Sequence, residues 1–135
     1  MAVLSKVPGL EVQIVVRGEP LREYEERGAR VPRDSVERYV EAQTNAHFEI
    51  HYSFTHPFPP DPAVFMFVMI DGKDVDEPLI RPFELFERKG HTSIGPVYKS
   101  GSSWKVRKYR FRGIRIGTCD FKALVQQTLI SRRGE

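Results

Sequence analysis

His47-x-Glu49-x-His51 carries the side chains of this chain best suited to bind a metal or move a proton. Alternate residues of a strand share a face, so imidazole, carboxylate and imidazole would project from the same side. The spacing argues against a joint site. Same-face neighbours sit near ~7 Å, and His47 and His51 end about 13 Å apart, too far to close on one ion. His56 and His91 would help only if the fold carried them close, and a half-buried strand histidine ordinarily faces solvent. We expect no metal and no cofactor.

Other reactive groups are also explained by structure. Asp71 and Asp74 sit in a turn, where Asp bonds the backbone. Glu23, Glu25 and Glu26 read as a solvated acidic run. Cys119 stands beside Asp120, which opposes thiolate formation, although Arg115 and Lys122 are near in sequence. No serine occupies a Gly-x-Ser-x-Gly elbow, and Gly90 to Gly101 lacks phosphate-loop spacing. No catalytic residue is assigned. An enzyme would need Glu49 with His47 or His51 in a concave pocket, not on an open strand face.

The strongest binding signal is basic. Residues 1–98 carry a net charge of −5 and residues 99–135 a net +8. In Trp104-Lys-Val-Arg-Lys-Tyr-Arg-Phe-Arg112, Trp104 and Val106 share one parity while Tyr109 and Phe111 have the other. A bulge at Arg107-Lys108 would bring all four to one face, because one extra residue flips every later side chain. Lys105, Arg107 or Lys108, Arg110 and Arg112, with Arg115 near the end, would then form an outward ridge. Such a ridge suits phosphates or an acidic partner. The favoured reading is that it faces the acidic strands of the same domain, Glu37, Glu41 and Glu49 among them, paired across strands. No nucleic-acid motif and no pair of rings spaced for stacking bases accompanies it.

The elements that must position these groups read as strands. His47 to Phe54 alternates strictly, with Phe48, Ile50, Tyr52 and Phe54 on one side. Gly9 to Arg17 alternates in the same way, and after a Gly18-Glu19 turn Leu21 to Tyr24 is expected to return as its hairpin partner. Ser35 to Ala42 is a third strand, and Glu25 to Asp34 a charged loop. Val64 to Ile70 is apolar without a break, as expected of a strand covered on both faces, and Asp71-Gly72-Lys73 turns it back into Val75 to Ile80. Arg81 to Gly90 is a helical turn or an irregular crossing. His91 to Tyr98 and Ser103 to Ile116 close the set around a Ser100-Gly101-Ser102 turn. The prolines of Thr55 to Pro62 exclude helix and sheet interior. Phe58 among them is either a displayed partner anchor or a plug for the end of the domain.

Pro8-Gly9-Leu10-Glu11-Val12 with Pro20-Leu21-Arg22-Glu23-Tyr24-Glu25, then Arg38-Tyr39-Val40-Glu41-Ala42, then Ile70-Asp71-Gly72-Lys73 with Pro78-Leu79-Ile80, follow one another in a specific order and spacing. In these segments, covering roughly residues 8 to 80, the chain resembles an uncharacterised fungal family, a domain of unknown function. Weaker similarity continues through Tyr109-Arg110-Phe111, and the tail beyond about Gly117 departs from the pattern. The resemblance implies a compact all-β domain of the sandwich kind and no reaction. The proline-rich loop belongs to that pattern too, which suits Phe58 as a plug.

At 135 residues one domain is expected over 1–135, large enough for a core without metal or disulfide. Its single cysteine fits a reducing compartment, cytoplasmic or nuclear. The start lacks a signal-peptide run, and no apolar stretch approaches a membrane span. Over 118–135 we expect a short helix, capped by Asp120, followed by a frayed tail. Phe121, Leu124, Val125 and Leu129 would line its apolar stripe, docked on the domain's sheet or open to a partner. The whole reads as an all-β antiparallel sandwich, jelly-roll-like or immunoglobulin-like, of about eight strands plus that helix. Function is expected to be non-enzymatic protein interaction, with self-association or another protein as partner. Nucleic acid at the basic ridge is the alternative and an enzyme the second. The sequence names no small-molecule ligand.

Overall fold

The computed structural model describes residues 1–113, other than Leu4, Lys6, Ala29, Val31, Arg33 and Asp34, together with the backbone of 123–127. The strands are β1 (Ala2–Val3), β2 (Leu10–Val16), β3 (Glu19–Pro20), β4 (Glu23–Tyr24), β5 (Val36–Val40) and β6 (Glu49–Phe54). They continue as β7 (Val64–Phe65), β8 (Val68–Ile70), β9 (Lys73–Asp76) and β10 (Leu79–Ile80), then a 3-10 turn at Pro82–Glu84. β11 (His91–Ser93), β12 (Val97–Ser100), β13 (Ser103–Val106) and β14 (Ala123–Gln127) follow. Among the described residues every pairing is antiparallel and the one helical element is that 3-10 turn, so the fold is all-β, built there of several sheets that do not close into a barrel.

The largest sheet runs β1-β2-β6-β11, with β3 attached to β2. Its register sets Leu10 opposite Phe54, Val12 opposite Tyr52 and Ile14 opposite Ile50, and all six are buried. This is the face that the strict alternation demanded. Burying each such side chain contributes about 1.5–3 kcal/mol, so register and core specify one another. Phe58 joins this core, 4.8 Å from Phe54 between ring centres, and Leu85 beyond the 3-10 turn is wholly enclosed. The hairpin partner of β2 differs from expectation. It is β3, with the Leu21 amide donating to the Ile14 carbonyl, while Glu23–Tyr24 pairs instead with β5.

Val64 to Ile80 is one bent hairpin. Asp71 (φ 52°) and Gly72 (φ 74°) both take positive φ, as a two-residue I′ turn requires. Phe65 faces Leu79, the Met66 amide bonds the Pro78 carbonyl, and Val68 faces Asp76. A register shift then sets Met69 opposite Asp74. Met66, Val68 and Ile80 point into the core. The other face departs from expectation. Phe65 (60 % exposed), Phe67 and Met69 stand outward with Leu79, so among the described residues this strand is covered on one face only.

β5 lies between β4 and β14, with Val36 to Val40 registered on Gln127 to Ala123. Over 123–127 the expected C-terminal helix is therefore replaced by strand. The short β4 leaves β5 with unpaired backbone groups along its other edge, and a ladder satisfies them where a docked helix would not. Asp120, Phe121 and Leu129, with the rest of the expected helix and tail, lie outside the described residues.

Candidate functional site

β12 and β13 form a hairpin joined by Gly101-Ser102, with Val97 opposite Val106, Tyr98 opposite Lys105 and Lys99 opposite Trp104. Below β13 the ladder continues without a slip. The Arg107 amide donates to the Pro96 carbonyl at 2.9 Å and the Tyr109 amide to the Ile94 carbonyl at 3.0 Å, two steps along both segments. The expected bulge at Arg107-Lys108 is absent. Parity therefore holds from Trp104 to Phe111, and the four apolar residues divide. Tyr109 and Phe111 are buried, stacked on Phe48, while Trp104 (71 % exposed) and Val106 stay outside.

The result is an arm with a rooted base and an open tip. At the base, Tyr109 also bonds across to the 46–48 segment, and Gly95 crosses so closely that a Cβ there would lie 1.9 Å from the Arg107 carbonyl oxygen. Beneath it lies a polar cluster. The buried Ser93 hydroxyl donates to Asp76 Oδ2 at 2.6 Å, which leaves the Tyr109 hydroxyl to donate to Ser93 Oγ at 2.9 Å. Burial, helped by the Asp76 charge, pushes the Tyr52 phenol up to about 12. Burial also raises Tyr109, against the lowering effect of its Ser93 bond.

Toward the tip, one face carries Val97, Trp104 and Val106 with Lys99 and, one step below, Lys108. The opposite face carries Tyr98, Lys105 and Arg107, whose guanidinium lies 5.3 Å from the Tyr98 ring centre. The expected ridge is thus split across two faces. Lys105, Arg107, Lys108, Arg110 and Arg112 are all exposed, and Arg115 lies outside the described residues. Among the described residues none of these cations forms an ion pair, so Glu37, Glu41 and Glu49 do not neutralise them. The acidic run behaves otherwise: Arg38 binds Glu25 at 2.7 Å and approaches Glu23, and Tyr39 donates to Glu26.

The remaining candidates are placed differently from a site. Phe58 is buried at 8 % exposure and is no displayed anchor. The side chain of His47 hydrogen-bonds with the Tyr109 carbonyl and that of His51 with the Lys89 carbonyl, while His91 stacks on Tyr52. No group of three metal-ligating side chains occurs among the described residues. A shallow cleft of about 290 Å³ beside the arm is lined by Arg17, Asn45, His47, Glu49, Ile94 and Lys108 among others. His47 and Glu49 both line it. What sequence reasoning missed is the outward row Phe65, Phe67 and Met69. Its only signal was in the run itself, which sets Phe65, Phe67 and Met69 at alternate positions.

In comparisons with known proteins, the family described as Domain of unknown function (DUF7918) matches residues 9–132. No curated protein and no solved structure matched. No helix among the described residues is long and apolar enough to cross a membrane.

Proposed function

We propose that this chain, which belongs to the DUF7918 family of domains of unknown function, is a non-enzymatic protein-interaction module that engages its partner through the β12–β13 arm. One observation carries the reading: a two-stranded ribbon open on both faces and both edges among the described residues, with Trp104 at 71 % exposure on its apolar side. An isolated ribbon gains little from its own contacts, and an exposed tryptophan framed by aliphatic residues is the composition of an interface centre. Open edges also offer unpaired backbone groups to an added strand. We read the architecture as a sandwich, with the β2–β6 sheet and the 64–80 hairpin enclosing the core.

Nucleic acid is the second reading, favoured by the unneutralised cations and by the lack of any Asp or Glu between Glu87 and Asp120. The rings favour protein. Base stacking needs open aromatic platforms, and Arg107 already lies over Tyr98, which leaves Trp104 alone on its face.

A photo-crosslinking residue at position 104 decides between them, with the same residue at exposed Arg22 as control. Protein adducts specific to position 104 support the module. Nuclease-sensitive adducts move the assignment to nucleic acid, and equal labelling at both positions removes the arm from consideration.

A further inference from the structure

The arm has a counterpart on the same molecule. On the outward face of the 64–80 hairpin, Phe65, Phe67 and Met69 form a row at alternate positions, with Leu79 opposite Phe65. Asp74 stands opposite Met69, and the register between the Met66–Pro78 bond and the Val68–Asp76 pair leaves Glu77 opposite Phe67. Cross-strand partners share a face, so an apolar centre and two exposed carboxylates lie side by side. The arm presents the inverse arrangement, Val97, Trp104 and Val106 between Lys99 and Lys108. Both centres are exposed within one chain, so the two do not cover each other. Contiguous exposed apolar rows rimmed by charge mark association surfaces, and opposite charges at the rim fix orientation.

We propose that the protein self-associates head to tail. The apolar face of one copy's arm lies across the outward face of the 64–80 hairpin of the next, Trp104 over Phe65, Phe67 and Met69, with Lys99 and Lys108 toward Asp74 and Glu77. The inference rests on the interaction-module reading and names the partner as a second copy. The two surfaces differ, so the contact is heterologous. Each bound copy keeps one free arm or one free face, and assembly proceeds to rings or chains instead of stopping at a two-fold dimer.

The test is solution mass by light scattering over a concentration series, with three proteins. One is unaltered, one carries Trp104→Ser, and one carries Phe67→Ser with Met69→Ser. All three substituted side chains are exposed, and circular dichroism with thermal melting verifies that each variant folds. The unaltered protein should grow past dimer mass with concentration, and each variant alone should bind itself roughly tenfold or more weakly. Mixed one to one, the variants should form a dimer of fixed mass, because one intact arm meets one intact face. A monomeric unaltered protein at every concentration overturns the proposal, as does a variant mixture that remains monomeric. An arm-to-arm dimer, which survives the Phe67/Met69 change, overturns it too, as does mass gained only with added nucleic acid. The crosslinking experiment separates the two levels. Position-104 adducts to a different protein, with no self-association, overturn the head-to-tail contact and leave the module; the absence of both removes the module as well.

Discussion

Trp104 and Tyr109 belong to one unbroken ladder and end on opposite sides of the molecule's surface, Trp104 at 71 % exposure and Tyr109 at 6 %. They stand five positions apart, an odd offset, and no bulge corrects the parity. A side chain's share in stability should follow this division. Trp104→Ala should change unfolding free energy by no more than about 0.5 kcal/mol. Tyr109→Ala, which empties a site stacked on Phe48, should cost about 3–5 kcal/mol. Urea unfolding followed by circular dichroism measures both, and near-equal losses would show that the tip is packed.

Gly95 should tolerate no side chain. A Cβ there would meet the Arg107 carbonyl oxygen at 1.9 Å and its carbon at 2.6 Å, both backbone atoms that a rotamer change cannot move aside. Gly95→Ala should lower stability by about 2 kcal/mol or more and shift amide resonances around Arg107. Unchanged resonances there would mean that the strands do not cross so closely.

The Ser93 cluster should behave as a unit. Ser93→Ala removes a donor to Asp76 and an acceptor for Tyr109, which leaves two largely enclosed polar groups short of a partner. The expected cost is about 1–3 kcal/mol. Tyr109→Phe in the same background should cost less than it does alone, a coupling that a double-mutant cycle reads directly.

Alkaline pH should expose the buried phenol. Tyr52 is held protonated to about 12 by burial and by the Asp76 charge, against 10.0 for an unhindered tyrosine. The folded state holds this proton more tightly than the unfolded chain does. Its contribution is therefore complete below pH 10 and declines as pH climbs toward 12. Urea midpoints measured across that window should fall more steeply for the unaltered protein than for Tyr52→Phe. Equal slopes would place the tyrosine in solvent.

The β5–β14 ladder can be broken from its far side. Val125 pairs with Arg38, and Val125→Pro removes a backbone donor and its conformational freedom to stay in register. Hydrogen exchange at the amides of Val36 to Val40 should quicken. If protection persists unchanged, those amides are held from the β4 side alone.

How far the sequence spoke depended on whether one face of a strand was wet. Leu10 to Val16 and Phe48 to Phe54 were legible because alternation reports a half-buried strand directly. Val64 to Ile70 was not, since an unbroken apolar run reads as a strand covered on both faces, whereas Phe65, Phe67 and Met69 stand exposed on the second. At 104–111 the parity break was visible, and the fold resolved it by leaving Trp104 outside. The C-terminal pattern of Leu124 and Val125 fits a helix by spacing, yet the open edge of β5 selected strand over 123–127, a tertiary demand that no local window contains. The basic residues were found, but their division between two faces depended on a register that only the Arg107–Pro96 and Tyr109–Ile94 bonds define. Among the described residues, no constellation beyond the sequence-level candidates emerged for catalysis.

The pairing of Val36 with Gln127 also orders events during synthesis. A ribosome delivers β5 early and its partner only after every other described strand has emerged. Throughout that interval the nascent chain holds Val36 to Val40 with a bare edge, a template to which a neighbouring nascent chain can add a strand. Products halted before residue 123 should therefore be the ones that clump on crowded polysomes and call for chaperones, while the completed chain shields its own weak point.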